Sequence, residues 1–110
     1  MLLEVHLMSV LLVSSQAPAA DAAVETDPVL AHFRLTALVD PGMLPRILEH
    51  FAKRSVVPER LLVRRAQHQE EGDILEVEAE ALMRDSDNAQ YVGRCMAQIP
   101  GVLSCVVLSD

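Results

Sequence analysis

The stretch His32-Phe33-Arg34-Leu35-Thr36-Ala37-Leu38-Val39, running directly into Asp40-Pro41-Gly42-Met43-Leu44, decides the fold. Its first half alternates: Phe33, Leu35, Ala37 and Val39 share one face, and Arg34, Thr36 and Leu38 the other. That is the period of a strand with one side against a core. Asp40 then suits a helix cap, with Pro41 at the first helical position, where its missing N–H costs nothing. Leu44, Ile47, Leu48 and Phe51 follow at the spacing of an amphipathic helix, which Lys53 and Arg54 close with cations at the carbonyl end.

Downstream the same grammar returns in a different order. Pro58 forces an extended approach to a second strand, Arg60–Ala66, with Leu61 and Val63 on one face and Arg60 and Arg64 on the other. Gln67–Gly72 reads as a hairpin connection. In the third strand, Ile74–Leu82, the alternation is cleanest: Leu75, Val77, Ala79 and Ala81 against Glu76, Glu78 and Glu80. The acidic row opposite Arg60 and Arg64 predicts cross-strand ion pairs on a solvated sheet face. Asp85-Ser86-Asp87-Asn88 starts a second helix with the stripe Ala89, Val92, Met96 and Ile99, and Pro100-Gly101 ends it. Val102–Leu108 is the last strand. It is apolar on both faces apart from Ser104, so it is expected to be well covered.

Strand, helix, strand, strand, helix, strand is the ferredoxin-like βαββαβ arrangement, an α+β fold. Right-handed crossovers place both helices on one face of a four-stranded antiparallel sheet. The chain has 110 residues, 51% hydrophobic but only 3% aromatic, so its core is aliphatic and small. Dimerisation would relieve that thin margin.

We expect residues 29–110 to form the folded domain and residues 1–28 an N-terminal extension. Gln16–Pro28, rich in alanine, proline and acid, reads as a flexible linker. The run Leu7–Val13 before it resembles the apolar part of a signal peptide, with Ala17, Ala19 and Ala20 as a cleavage region. Against that reading, no Lys or Arg precedes Arg34, and Glu4 stands where positive charge belongs. The run is also too short to span a bilayer as a helix. An added strand or an upstream extension fits it better, and we expect a cytoplasmic protein without membrane association.

The net charge of −7 repels phosphate backbones, so nucleic acid is not an expected partner. No strand offers exposed aromatics for base stacking. Cys95 and Cys105 lack a Cys-x-x-Cys pairing, and His6, His32, His50 and His68 lack metal-ligand spacing. We therefore expect free thiols, no metal and no cofactor. No nucleophile motif or phosphate loop appears, so no catalytic residue is assigned. What remains is the first turn. Gly42 allows a ligand to approach closely, and the N–H groups of Gly42, Met43 and Leu44 at a helix start suit an anion such as an amino-acid carboxylate.

Val39-Asp40-Pro41-Gly42-Met43-Leu44-Pro45-Arg46-Ile47-Leu48, followed by Phe51 and Arg54, resembles the first half of an ACT domain. Glu59-Arg60-Leu61-Leu62-Val63 is similar to that family's second strand, and Ile99-Pro100-Gly101-Val102 to the start of its last. Among ACT proteins, the short single-domain regulatory subunits of acetolactate synthase are most similar in length and in the spacing from Pro41 to Arg54. The resemblance implies a non-catalytic regulatory module of amino-acid metabolism, with Asp40, Gly42, Met43 and Leu44 contacting an amino acid. It also implies a homodimer through sheet edges, with the Arg60–Ala66 edge at an interface, and a catalytic synthase as partner. The alternative is a ferredoxin-like small enzyme or interaction scaffold that works through the face bearing Glu76, Glu78 and Glu80.

Overall fold

The structure is a computed structural model that describes residues 27–109. The Leu7–Val13 run, the alanine cleavage region and most of the linker lie outside the described residues. The elements are β1 (Val29–Leu38), α1 (Met43–Ala52), β2 (Arg60–His68), β3 (Gly72–Met83), α2 (Ser86–Ala97) and β4 (Val102–Ser109). The strands form one antiparallel sheet in the order β2-β3-β1-β4. The expected ferredoxin-like βαββαβ fold is the observed one.

Alternation sorts the two sheet faces. Ala31, Phe33, Leu35 and Ala37 of β1 are buried beside Val77, Ala79, Ala81 and Met83 of β3. Met43, Ile47 and Phe51 of α1 and Ala89, Val92 and Met96 of α2 complete this core. Phe33 and Phe51 meet edge to face with ring centroids 5.2 Å apart, the arrangement aromatic quadrupoles favour. On α2, Gly93 is required by packing: a Cβ there would lie 2.3 Å from Val107 Cγ2. The missing side chain lets α2 lie directly on β4.

The opposite face carries no helix, and there the register pairs opposite charges. Arg60 stands across from Glu80 and Arg64 across from Glu76. Arg60 Nη1 is 3.2 Å from Glu80 Oε2, and Arg64 is bonded to Glu76. β1 adds a second rank, with His32 3.4 Å from Glu80 and Arg34 3.9 Å from Glu78. The predicted ion-pair ladder is present and is wider than expected.

Two local expectations need correction. The helix begins at Met43 with Gly42 as its cap, so Asp40 and Pro41 belong to a turn before it. Also, β4 is not well covered: Leu103, Val106 and Leu108 are 44%, 49% and 54% exposed. The strand order explains this, since β4 is an edge and Val106 and Leu108 point to the face without helices.

Candidate functional site

After Leu38 the chain leaves β1 and reverses through Asp40-Pro41-Gly42-Met43. The Met43 N–H donates to the Asp40 carbonyl at 3.0 Å, closing a β-turn. Pro41 occupies its first central position and Gly42, at φ −87° and ψ −3°, its second, as in a type I turn. The Asp40 side chain turns inward, and its Oδ2 accepts the Gly42 N–H at 3.0 Å. Proline's preset φ and the aspartate's short acceptor favour this turn over extending α1 backwards.

Arg46, one helical turn into α1, donates its backbone N–H to the Gly42 carbonyl at 3.2 Å. Its Nη1 lies 3.2 Å from Asp40 Oδ2, with both side chains about half exposed. The guanidinium crosses the face of Gly42. A Cβ on that glycine would stand 2.9 Å from Arg46 Nη2 and 3.2 Å from Asp40 Oδ2. Gly42 leaves room for this guanidinium, and a side chain there would displace the flexible end of Arg46; the backbone at Gly42, with a negative φ, is open to any residue.

Of the four site residues read from sequence, Asp40 and Gly42 form this turn and Leu44 lies half-buried at the helix start. Met43 points into the core, 1% exposed, and serves as the floor. Two of the three backbone N–H groups expected to be free are used within the turn, by Asp40 itself; that of Leu44 remains. Arg46 is the residue the sequence reasoning passed over. Its signal was present, a cation four residues after the turn glycine.

The surroundings are apolar. Leu38 and Val39, 44% and 40% exposed, flank the turn. The Leu38 N–H donates to the Gly101 carbonyl at 2.8 Å, which ties the turn before β4 to the end of β1.

The rival surface is a shallow cavity of about 360 Å³ on the open sheet face, lined among others by Arg34, Thr36, Arg64, Glu76 and Glu78. Every carboxylate of the acidic row there has a cationic or histidine partner: Glu76 also has His68, at 3.9 Å. Among the described residues no group of three or more His, Cys, Asp or Glu is placed to hold a metal ion. Cys95 and Cys105 are free thiols. Burial pushes the Cys105 thiol up to about 11. No helix among the described residues is long and apolar enough to cross a membrane.

Neither a protein-family model nor a curated protein matches the sequence. Solved structures do match. The crystal structure of the ACT domain of GTP pyrophosphokinase from Chlorobium tepidum superposes with a TM-score of 0.59 at 16% identity, covering 74% of this chain and 99% of that one. The solution structure of the same domain gives 0.57 at 17% identity, over 74% and 86% of the two chains. The C-terminal domain of the MgtC protein from Mycobacterium tuberculosis gives 0.55 at 10% identity, over 80% and 94%. At these identities the likeness is one of fold, and it spans two proteins with different names.

Proposed function

We propose that this chain is a non-catalytic, amino-acid-binding regulatory module of the ACT type. The Asp40–Arg46 pair across Gly42 carries the reading, because it presents one anion and one cation 3.2 Å apart beside exposed apolar side chains. An α-amino acid is a zwitterion of matching sense. The ligand parts this half-exposed pair: its ammonium group replaces Arg46 at the Asp40 carboxylate, and its carboxylate takes the Arg46 guanidinium and the Leu44 N–H. With the guanidinium swung aside, Gly42 permits the close approach, and Met43 anchors the turn from below. An aliphatic side chain would rest on Leu38 and Val39, which favours a branched-chain amino acid. In that setting the module acts as a cytoplasmic subunit of branched-chain biosynthesis, a homodimer regulating a catalytic partner such as acetolactate synthase. The fold shared with the ACT domain of GTP pyrophosphokinase supports the regulatory reading without bearing on the ligand.

Titration calorimetry with a panel of amino acids on wild type, Gly42→Asp and Arg46→Met tests this. Heat is expected for a branched-chain amino acid with wild type and for none with Gly42→Asp. Silence of the wild type across the panel removes the ligand-sensing reading. A second reading, a subunit acting through protein contacts alone, is favoured by Asp40 holding the Gly42 N–H itself.

A further inference from the structure

α1 runs out into two cations, Lys53 and Arg54, and the second is held in place. Arg54 Nη1 donates to the His50 carbonyl at 2.8 Å, and its guanidinium lies 5.7 Å from the centre of the Tyr91 ring on α2. Arg94, three residues further along α2, lies 5.9 Å from the same ring. Tyr91 is 51% exposed, so the ring that gathers two guanidiniums is open to solvent. Among the described residues no carboxylate pairs with Arg54 or Arg94, whereas each of the other six arginines has one.

Arg54 and Tyr91 border an open cavity of about 670 Å³ between the end of α1 and the start of α2, lined also by Val56, Arg84, Asp85 and Asp87. Its two carboxylates belong to the helix. Asp85 caps α2, accepting the Asn88 N–H at 2.7 Å, and Arg84 Nε stands 3.7 Å from its other oxygen. Asp87 occupies the first turn, where the helix dipole favours an anion. The α1 side of the cavity is left cationic, with Arg54 on the ring and Arg94 beside the same ring.

The chain that precedes β1 enters the domain at this same end. Val29 pairs with Met83, at about 5 Å in such a ladder, and Arg84 on the cavity rim follows Met83 directly. Val29 and Val56 also pack against one core. The residues upstream read Ala20-Asp21-Ala22-Ala23-Val24-Glu25-Thr26, with two acids and no cation. At about 3.3 Å per extended residue, Glu25 reaches about 13 Å from Val29 and Asp21 about 26 Å. A short tether presents its acids at an effective concentration near millimolar, so a contact too weak to hold a free peptide suffices.

We propose that the segment Asp21–Glu25 of the same chain docks on this cavity, its two carboxylates on Arg54 and Arg94 and Val24 against Tyr91 and Val56. The two guanidiniums lie within about 12 Å of one another, a span that Asp21 and Glu25, four residues apart, can cover. Arginine takes a carboxylate through two parallel N–H bonds, and the ring beneath each guanidinium holds it ready for that contact. The alanines around the acids let the segment lie close to the ring. Docked there, the segment fastens the end of α1 to the start of α2. It does so at the end of α1 opposite the Asp40–Arg46 pair, so it goes beyond the amino-acid-binding reading and does not depend on it.

Fluorescence quenching on the full chain tests it. Tyr91 is the only tyrosine and the chain has no tryptophan, so the intrinsic emission reports on Tyr91 alone. With acrylamide, an uncharged quencher, the Stern–Volmer slope of the wild type is expected to be about half that of Asp21→Asn combined with Glu25→Gln. It should not change with protein concentration. Arg54→Glu combined with Arg94→Glu should expose Tyr91 equally, and adding Asp21→Arg and Glu25→Arg to that pair should shield it again. Equal slopes for the wild type and the Asp21, Glu25 variant overturn the proposal. So does shielding that grows with concentration, which assigns the cavity to a second copy, and so does shielding gained only with added inorganic phosphate, which assigns it to a free anion. A charge swap that restores nothing overturns it as well.

Discussion

Arg46 and Asp40 close over Gly42 with 3.2 Å between guanidinium and carboxylate, and the same carboxylate oxygen accepts the Gly42 N–H. Asp40 thus has two separable roles. Asp40→Asn keeps an acceptor for the turn and loses only a half-exposed ion pair, so it should cost less than about 1 kcal/mol. Asp40→Ala strips the acceptor as well and should cost about 1–2 kcal/mol, in the range of a lost cap. Urea denaturation of the two variants separates the roles; equal losses would mean the ion pair, not the turn, holds the residue.

Ser55 follows α1 in the left-handed region, at φ 60°, where a side chain is strained. The Ser55 N–H reaches the Ala52 carbonyl at 3.0 Å and the Val56 N–H reaches that of Phe51 at 2.9 Å, so the conformation closes the helix. Ser55→Gly keeps these bonds and relieves the strain. It should stabilise the domain by about 1 kcal/mol, read as a higher urea midpoint at unchanged slope.

His50 has a buried Nδ1 without a hydrogen-bond partner. Burial first, then the charges of Lys53 and Arg54, hold its pKa below the ordinary 6.5. The folded state therefore binds this proton less readily than the unfolded chain does. Its contribution to stability is complete above pH 6.5 and is lost as the pH falls from there through the lowered folded-state value. His50→Gln should flatten that limb of the stability–pH curve while leaving the plateau above neutrality in place.

Cys105 illustrates how a fold silences a thiol. Burial raises its pKa from 9.0 to about 11, so near pH 8 its thiolate population is about 100-fold below that of an unperturbed thiol. Alkylation of a Cys95→Ser variant with iodoacetamide, followed by mass spectrometry, should be slower by about that factor than for an unfolded control in urea.

Much of this architecture could be read before any coordinates. β3 announces itself because Leu75 to Ala81 alternate with three glutamates, and the arginines of β2 fix the register through Arg60–Glu80 and Arg64–Glu76. The start of α1 was harder. Asp-Pro-Gly encodes a helix cap and a type I turn equally well; here the Met43 N–H bonds back to the Asp40 carbonyl three residues away, and the first bond of helical spacing runs from Arg46 to Gly42. β4 misled for another reason: a strand apolar on both faces reads as central, while its place at the edge follows from strand order, which lies between elements rather than within one. Arg46 stayed hidden because its partner, six residues back, meets it only once the turn has formed.

Ala31 lies directly opposite Ser109 in the sheet. Neighbouring antiparallel strands bring such residues to about 5 Å of one another. The first and last strands therefore enter and leave at one margin, so this unit can be spliced into a surface loop of a host protein without stretching it. It also invites circular permutation: a short bridge from Ser109 to Val29, with new termini opened in the exposed Gln69–Glu71 turn, preserves every strand pairing except the hairpin's covalent link. Such a permutant should fold, and its refolding rate would show how much the β2–β3 hairpin leads assembly of the sheet.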